Sequence, residues 1–410
     1  MTKADDILKK EDAKHLPGLD GVRGLAILLV MFSHFIVVGG NTEITDSTSP
    51  FLKHFYQLLT SGFLGVDLFF VLSGFLITGI LVDAKARTHY FRTFYMRRAL
   101  RIFPLYYSLL AIAYISEAVF FPVHSAQLSG ADSPWWYWLY ASNIGIACKG
   151  TWLASPTWID LGHFWSLAVE EQFYMVWPLV VFLVPARWLG WLSLALVITS
   201  PTVGNLVRHH VTDTISTHAD VGTAKKAGDL AAYTSTLARV GLLAGGAWLS
   251  LMWRRPKAKE WIQKLALPVV IVSGIYLLYA CIYRDKISTA EPAIVCFTAC
   301  VAVAAGAGGQ SLLLKFFSGA FLRWMGKYSY GIYVYHHALH AVWIRFIWET
   351  IVKPLVGGGW AGTILYTLIA TAASLGLAYL SWHLFEARIL ALKRYFSYEK
   401  EGIRANAKAG

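Results

Sequence analysis

Residues 19–35 read LDGVRGLAILLVMFSHF, an apolar stretch that carries Arg23 and His34 eleven residues apart. Eleven steps of about 100° return to within roughly 20° of the start, so in a helix both side chains share one face, about 16 Å apart. A helix this apolar suits lipid. There ionisable groups are costly, face a protein interior or a watery cavity, and carry function by default. Arg23 alone reads as an arginine that snorkels to the interface and His34 alone as a packed core residue; the pair on one face reads as a polar track into a membrane.

The whole chain agrees. Of 410 residues 56% are hydrophobic and the mean hydropathy is +0.51, which points to a polytopic membrane protein rather than to two or three soluble domains. Seventeen tryptophans and 21 tyrosines suit many crossings of the interface, where amphipathic rings settle at headgroup depth. The formal net charge of +12 raises nucleic acid as a partner, but the basic residues fall in short loops between apolar runs, so topology accounts for the charge and no nucleic acid is expected. The first twenty residues are polar, with no apolar core followed by a small-residue cleavage site, so they do not read as a cleaved signal peptide. The four cysteines include no C-x-x-C pair and read as buried small hydrophobes. Nothing in the spacing of Cys148 and Cys281 supports a disulfide.

Apolar runs near 22–39, 60–82, 102–121, 166–185, 188–207, 237–252, 265–283, 290–308, 328–348 and 361–385 approach the roughly 20 residues that a crossing needs. An eleventh run, WWYWLYASNIGIA at 135–147, is short and rich in interfacial aromatics, and reads as a helix that lies flat or dips in. With ten spans and a cytoplasmic N-terminus, the inner segments hold Lys9, Lys10 and Lys14, the cluster from Lys85 to Arg101, then Arg254, Arg255, Lys257 and Lys259, and finally Lys393 and Arg394. Eleven spans would send the WRRPKAKEW loop outside, against the positive-inside bias. The expected fold is an all-α polytopic transmembrane helical bundle with ten spans and one short non-spanning aromatic helix. A cytoplasmic tail covers 1–15, the membrane domain 16–395 and a second cytoplasmic tail 396–410. The stretch 208–236 becomes the largest outer loop and shows no strong periodicity.

Arg98 and Arg101 stand three apart, on one helical face, at the inner entrance of the third span. Arginine forks match phosphate oxygens, while a basic inner loop also satisfies topology and anionic lipid. In HFWSLAVEEQFYMVWPL (163–179), Ser166, Glu170 and Tyr174 recur every four residues as one polar stripe. Glu170 and Glu171 lie about 9 Å or more below the outer surface. One is expected to pair with a buried cation such as Arg239, the other to serve proton transfer or to orient a histidine. Asp67, His163, Ser166, Glu171, Tyr174 and Arg239 are the expected polar lining on the acceptor side, and Ser73 and Gly74 permit close helix packing. GKYSYGIYVYHH (326–337) places His336 about 15 Å along the ninth span, at the depth of His34 near the midplane, with His337 and His340 as ordinary neighbours. Glu386 is expected to pair with a clustered arginine. There is no P-loop, G-x-G-x-x-G, H-E-x-x-H or G-x-S-x-G, and the histidines lack metal-ligand spacing, so no metal and no bound cofactor are expected.

Seven segments in order, at 19–35, 65–81, 97–107, 163–174, 233–249, 326–337 and 381–390, make the chain resemble the acyltransferase family 3 membrane proteins, which O-acylate bacterial surface glycans and some small molecules. The resemblance runs from about Leu16 to Tyr395. It implies ten core helices in the bacterial cytoplasmic membrane, a cytoplasmic acyl-CoA donor as co-substrate, and an acceptor hydroxyl of a glycan, glycolipid or small molecule on the far side. Arg23 and His34 match the family's arginine–histidine pair, Arg98 and Arg101 its paired-arginine motif, and Glu170 the first carboxylate of its SLAVEEQFY-like element. Where many members place proline after the last-helix glutamate, this chain has Glu386, Ala387 and Arg388, so the final helix is expected to run on.

The expected chemistry follows from these positions. Arg23, Arg98 and Arg101 hold the donor's phosphates at the inner mouth, and the acyl group, acetyl by default, reaches His34. An imidazole of ordinary pKa about 6.5 suits a general base, and direct attack is favoured over an acyl-enzyme. Glu170 orients the imidazole in the manner of a triad carboxylate, and His336 and Tyr333 bind the thioester oxygen or the acceptor. The rival reading is a proton-coupled secondary transporter of a sugar or anion, since intramembrane His and Glu also mark proton relays; it lacks the paired broken helices of such folds. A scaffolding role gives no reason for an aligned Arg and His.

Overall fold

The computed structural model describes residues 16–37, 49–122, 133–283 and 290–398; the expected tail over 1–15 and most of that over 396–410 lie outside them. Among the described residues the chain is helical and has no strand. In chain order the helices are α1 (Pro17–Phe35), α2 (Pro50–Thr60), α3 (Leu64–Ala84), α4 (Tyr90–Phe120), α5 (Trp135–Trp138), α6 (Ser142–Lys149), α7 (Trp165–Leu183), α8 (Ala186–Ser216), α9 (Val221–Thr234), α10 (Thr236–Trp253), α11 (Pro256–Tyr283), α12 (Ala290–Ala304), α13 (Leu312–Phe317), α14 (Ala320–Ala338), α15 (340–356) and α16 (Gly359–Tyr395).

Among the described residues, eight helical stretches are long and apolar enough to cross a membrane: α1, α2 with α3, α4, α7, α8, α9 with α10, α11 and α16. The aromatic run at 135–147 forms two short helices, α5 and α6, neither long enough to span. The two other expected spans differ from their sequence reading. Helix α12 has only 15 residues. Helix α14 begins eight residues before the expected 328 and ends at Ala338, and Arg323, Lys327 and its histidines dilute its apolar content.

The expected outer loop at 208–236 is helical instead. Helix α8 continues to Ser216, and α9 starts at once behind an Asp220 cap whose carboxylate accepts the Thr223 N–H at 3.0 Å and the Thr223 hydroxyl at 2.6 Å. Its polar face hides the periodicity from a hydropathy reading. Helix α4 begins at Tyr90, a dozen residues before the expected 102, so Arg98 and Arg101 stand on the helix itself. Helix α16 runs past Glu386 through a wide turn at Trp382–Glu386 to Tyr395, with no proline to stop it.

Helix α1 occupies the centre, with α14, α3, α12 and α13 packed around it; α3 in turn packs on α10, α7 and α12. In lipid no hydrophobic force drives helix to helix, so backbone approach at small residues decides packing. On α1, Gly24 lies on the carbonyl oxygen of Leu322 in α14; reciprocally, Gly326 of α14 lies on the carbonyl of Asp20 in α1. A methyl group at either place overlaps backbone. A second such pair joins α3 to α10, with Gly74 against the Leu243 carbonyl and Gly246 against that of Val71.

The α1–α14 contact fixes the level of everything beyond it. His34 stands ten residues past Gly24, and His336 ten residues past Gly326, so parallel helices touching at the glycines bring both imidazoles to one height. Gly326→Ala is expected to destabilise the protein by about 1–3 kcal/mol through overpacking, while Gly376→Ala on α16, where no atom lies within 4 Å of the added methyl, is neutral or slightly stabilising. Thermal unfolding of both variants in detergent, read by tryptophan fluorescence, checks the contrast.

Candidate functional site

A cavity of about 190 Å³ lies between α1, α3, α4, α7 and α14. Three arginines stand at one end: Arg23 from the second turn of α1, and Arg98 and Arg101 from α4. Their guanidiniums are close enough for their charges to oppose one another. Arg23 Nη1 is held by Asp20 Oδ1 at 2.9 Å, one turn earlier, and Arg98 lies 5.9 Å from the ring centre of Tyr174. Three guanidiniums gathered in one place offer the planar forks that match an anion with several oxygens.

The polar stripe of α7 forms one wall. Ser166, Glu170 and Tyr174 all line the cavity, and so does Glu171. Tyr174 shares a hydrogen bond with Ser73 of α3, and Glu170 faces Ser73, Tyr174 and the guanidiniums of Arg98 and Arg101. The far end is closed by Tyr333 of α14, whose hydroxyl is shared with Ser166 Oγ and donates to the His163 carbonyl at 3.0 Å.

Behind Tyr333 stands a cluster of imidazoles. The Tyr333 ring lies 5.3 Å from that of His163 and 5.6 Å from that of His336. His34 is 5.2 Å from His336 and 4.5 Å from His337, His163 is 4.9 Å from His337, and His337 is 5.5 Å from His340. His34 Nδ1 and His336 Nε2 are hydrogen-bonded at 3.0 Å. His337 Nδ1 is 3.7 Å from Asp160. Among the described residues no group of three or more His, Cys, Asp or Glu is arranged to hold a metal ion.

Several sequence expectations change. His34 and His336 both sit in the last turn of their helices, near the helix ends rather than at midlength, because α1 and α14 each begin well before the apolar run. Arg239 pairs with neither glutamate of α7. Its Nη1 donates to both oxygens of Asp67, at 3.2 and 3.3 Å, while its Nε donates to the Tyr233 carbonyl at 2.7 Å and its guanidinium carbon lies 4.4 Å from the centre of the Tyr233 ring. Asp67 and Arg239 thus form a buried tie between α3 and α10 and do not line the cavity. The group bonded to His34 is His336, not Glu170. Glu386 accepts from Ser381 Oγ at 2.9 Å, and the charge of Arg101, one of the clustered arginines, is close enough to attract it.

His337, His340 and Asp160 join the cluster although the sequence reading set the two histidines aside. The only sign was local: His336, His337 and His340 share one turn, and Asp160 precedes His163 by three residues. All four cysteines are free thiols.

The family model described as an acyltransferase domain matches residues 16–383. The peptidoglycan O-acetyltransferase OatA of Listeria monocytogenes is 28% identical over 349 residues, 80% of this chain and 49% of that protein. The O-acetyltransferase OatA of Staphylococcus aureus is 27% identical over 351 residues, 81% of this chain and 51% of that protein. The chain therefore spans about half the length of these curated relatives. No solved structure matches it.

Breaking a buried ion pair from one side leaves a bare charge, so Asp67→Asn is expected to cost on the order of 3 kcal/mol. The double replacement Asp67→Leu with Arg239→Met is expected to cost less than Asp67→Asn alone. Thermal unfolding of both variants in detergent measures the contrast.

Proposed function

We propose that this chain, which belongs to the acyltransferase family matched over residues 16–383, is a multi-pass membrane O-acyltransferase that moves an acetyl group from cytoplasmic acetyl-CoA to a hydroxyl of an extracytoplasmic glycan. The observation that carries the reading is a single cavity with three arginines at one end and, behind one tyrosine at the other, the His34–His336 pair. The relatives named for O-acetylation of peptidoglycan support acetyl as the group and a cell-wall or other surface glycan as the acceptor.

In this reading α12 and α14 cross the membrane with the eight longer helices, giving ten spans with both termini in the cytoplasm. Packed against α1, they shelter their short or polar lengths from lipid. The arginine end then faces the cytoplasm. A cavity of about 190 Å³ is below the roughly 300 Å³ of an ordinary ligand pocket, so it accepts the slender thioester arm of the donor while Arg23, Arg98 and Arg101 hold the phosphates at its mouth.

Tyr333 must turn aside for the thioester to meet His34, and its freed hydroxyl is placed to hold the thioester carbonyl oxygen. His34 then removes the proton of the acceptor hydroxyl as the oxygen attacks the carbonyl carbon. The C–S bond breaks, the acetyl ester forms, and coenzyme A leaves as thiolate and takes up the proton. Glu170 and Glu171 balance the arginines along the wall.

His34→Ala is expected to abolish transfer of labelled acetyl from acetyl-CoA to glycan in proteoliposomes while the protein still binds coenzyme A; retained turnover contradicts the base role. Arg98→Ala with Arg101→Ala is expected to raise the KM for acetyl-CoA at least about tenfold, the loss of one or more charge-assisted hydrogen bonds. An unchanged KM contradicts the phosphate role, and a labelled solute crossing unchanged marks a transporter.

A further inference from the structure

The hydrogen bonds around His336 determine which nitrogen of His34 carries a proton. His336 is fully buried. Its Nδ1 lies 2.8 Å from the Tyr333 carbonyl and 3.0 Å from the Ile332 carbonyl, the ordinary acceptors three and four residues back along the helix. A carbonyl only accepts, so His336 Nδ1 is the N–H of the ring. In the neutral imidazole the other nitrogen is then an acceptor. That nitrogen, Nε2, faces His34 Nδ1 at 3.0 Å, so His34 Nδ1 must donate. The proton of neutral His34 is thereby on Nδ1, and Nε2 carries the lone pair.

From this chain of donors we infer that His336 is the positioning residue of the His34 base: it holds His34 in the tautomer whose Nε2 can take a proton, and it stabilises the cation formed when it does. The inference rests on the function proposed above and deepens it. Both ring nitrogens of His336 are engaged, one by backbone and one by His34, so His336 has no nitrogen left for donor or acceptor and does not touch substrate. It fills the place that the sequence reading gave to Glu170, which lies in the cavity wall facing the arginines. When Nε2 of His34 accepts the hydroxyl proton, the Nδ1–H bond to His336 becomes charge-assisted and strengthens. The contact of α1 with α14 through Gly24 and Gly326 holds the two rings in register without any carboxylate.

The test has one readout that needs no turnover and one that does. In the intact protein in nanodiscs with ¹⁵N-labelled histidine, the His34 signals, identified by their loss in His34→Asn, are expected to show a protonated, pyrrole-type Nδ1 and a bare, pyridine-type Nε2. A His34 ring protonated at Nε2 overturns the inference, whatever the activity. In the transfer assay, His336→Leu is expected to lower kcat on the order of 10²-fold with the KM for acetyl-CoA unchanged. That is less than the ~10⁴-fold loss caused by a wrong tautomer in a carboxylate-oriented triad. His336→Gln, whose side-chain oxygen can accept from His34 Nδ1, is expected to recover most of that loss. Equal loss in both variants, no loss in His336→Leu, or a change in KM alone overturns it. If His34→Ala retains full turnover while the tautomer is as stated, the base role fails and the assignment of His336 to the tautomer stands.

Discussion

The close approach of α1 to α14 is the constraint on which the rest depends. Two missing side chains, at Gly24 and Gly326, let each helix rest on a carbonyl of the other. Parallel helices fixed at that point carry every later residue to a matched level, so the turn that ends α1 delivers His34 to the turn that ends α14 and to His336. The same crossing leaves Arg23 of α1 lining one cavity with Ser329 and Tyr330 of α14. A polar track along α1 thus acquires a second wall, and its two ends acquire different chemistry.

Charge inside the bundle follows one economy. Ionisable groups in a membrane must be paired or face a polar space, and this chain uses both solutions in separate places. Asp67 and Arg239 neutralise each other and tie α3 to α10. Arg23, Arg98, Arg101, Glu170 and Glu171 instead share the cavity, where an incoming anion can change the balance. Tyr333 and Ser166 close that space against the imidazoles, so in the proposed function these two side chains stand between the donor and the acceptor.

Much of this was legible in the sequence, for reasons that can be named. Apolar length marks most of the long helices because each must satisfy its own backbone in lipid. The period of 3.6 places Arg23 and His34 on one face, and Ser166, Glu170 and Tyr174 on another. What periodicity cannot tell is which helix lies opposite. For that reason the sequence alone offers Arg239 a glutamate and His34 the carboxylate of Glu170, whereas Asp67 and His336 hold those places. Polar helices fail in a different way: α9 and the start of α14 fold against neighbours and so need no apolar run to announce them.

The central claim is that one cavity takes a donor at its arginine end and passes the acyl group to a hydroxyl at its histidine end, across the membrane. Vesicles with the cytoplasmic face outward, loaded inside with a glycan acceptor and given labelled acetyl-CoA only outside, test it directly. The account predicts labelled ester on the enclosed glycan, with the thioester never entering the lumen. Labelled product only when donor and acceptor share one side of the membrane would contradict it.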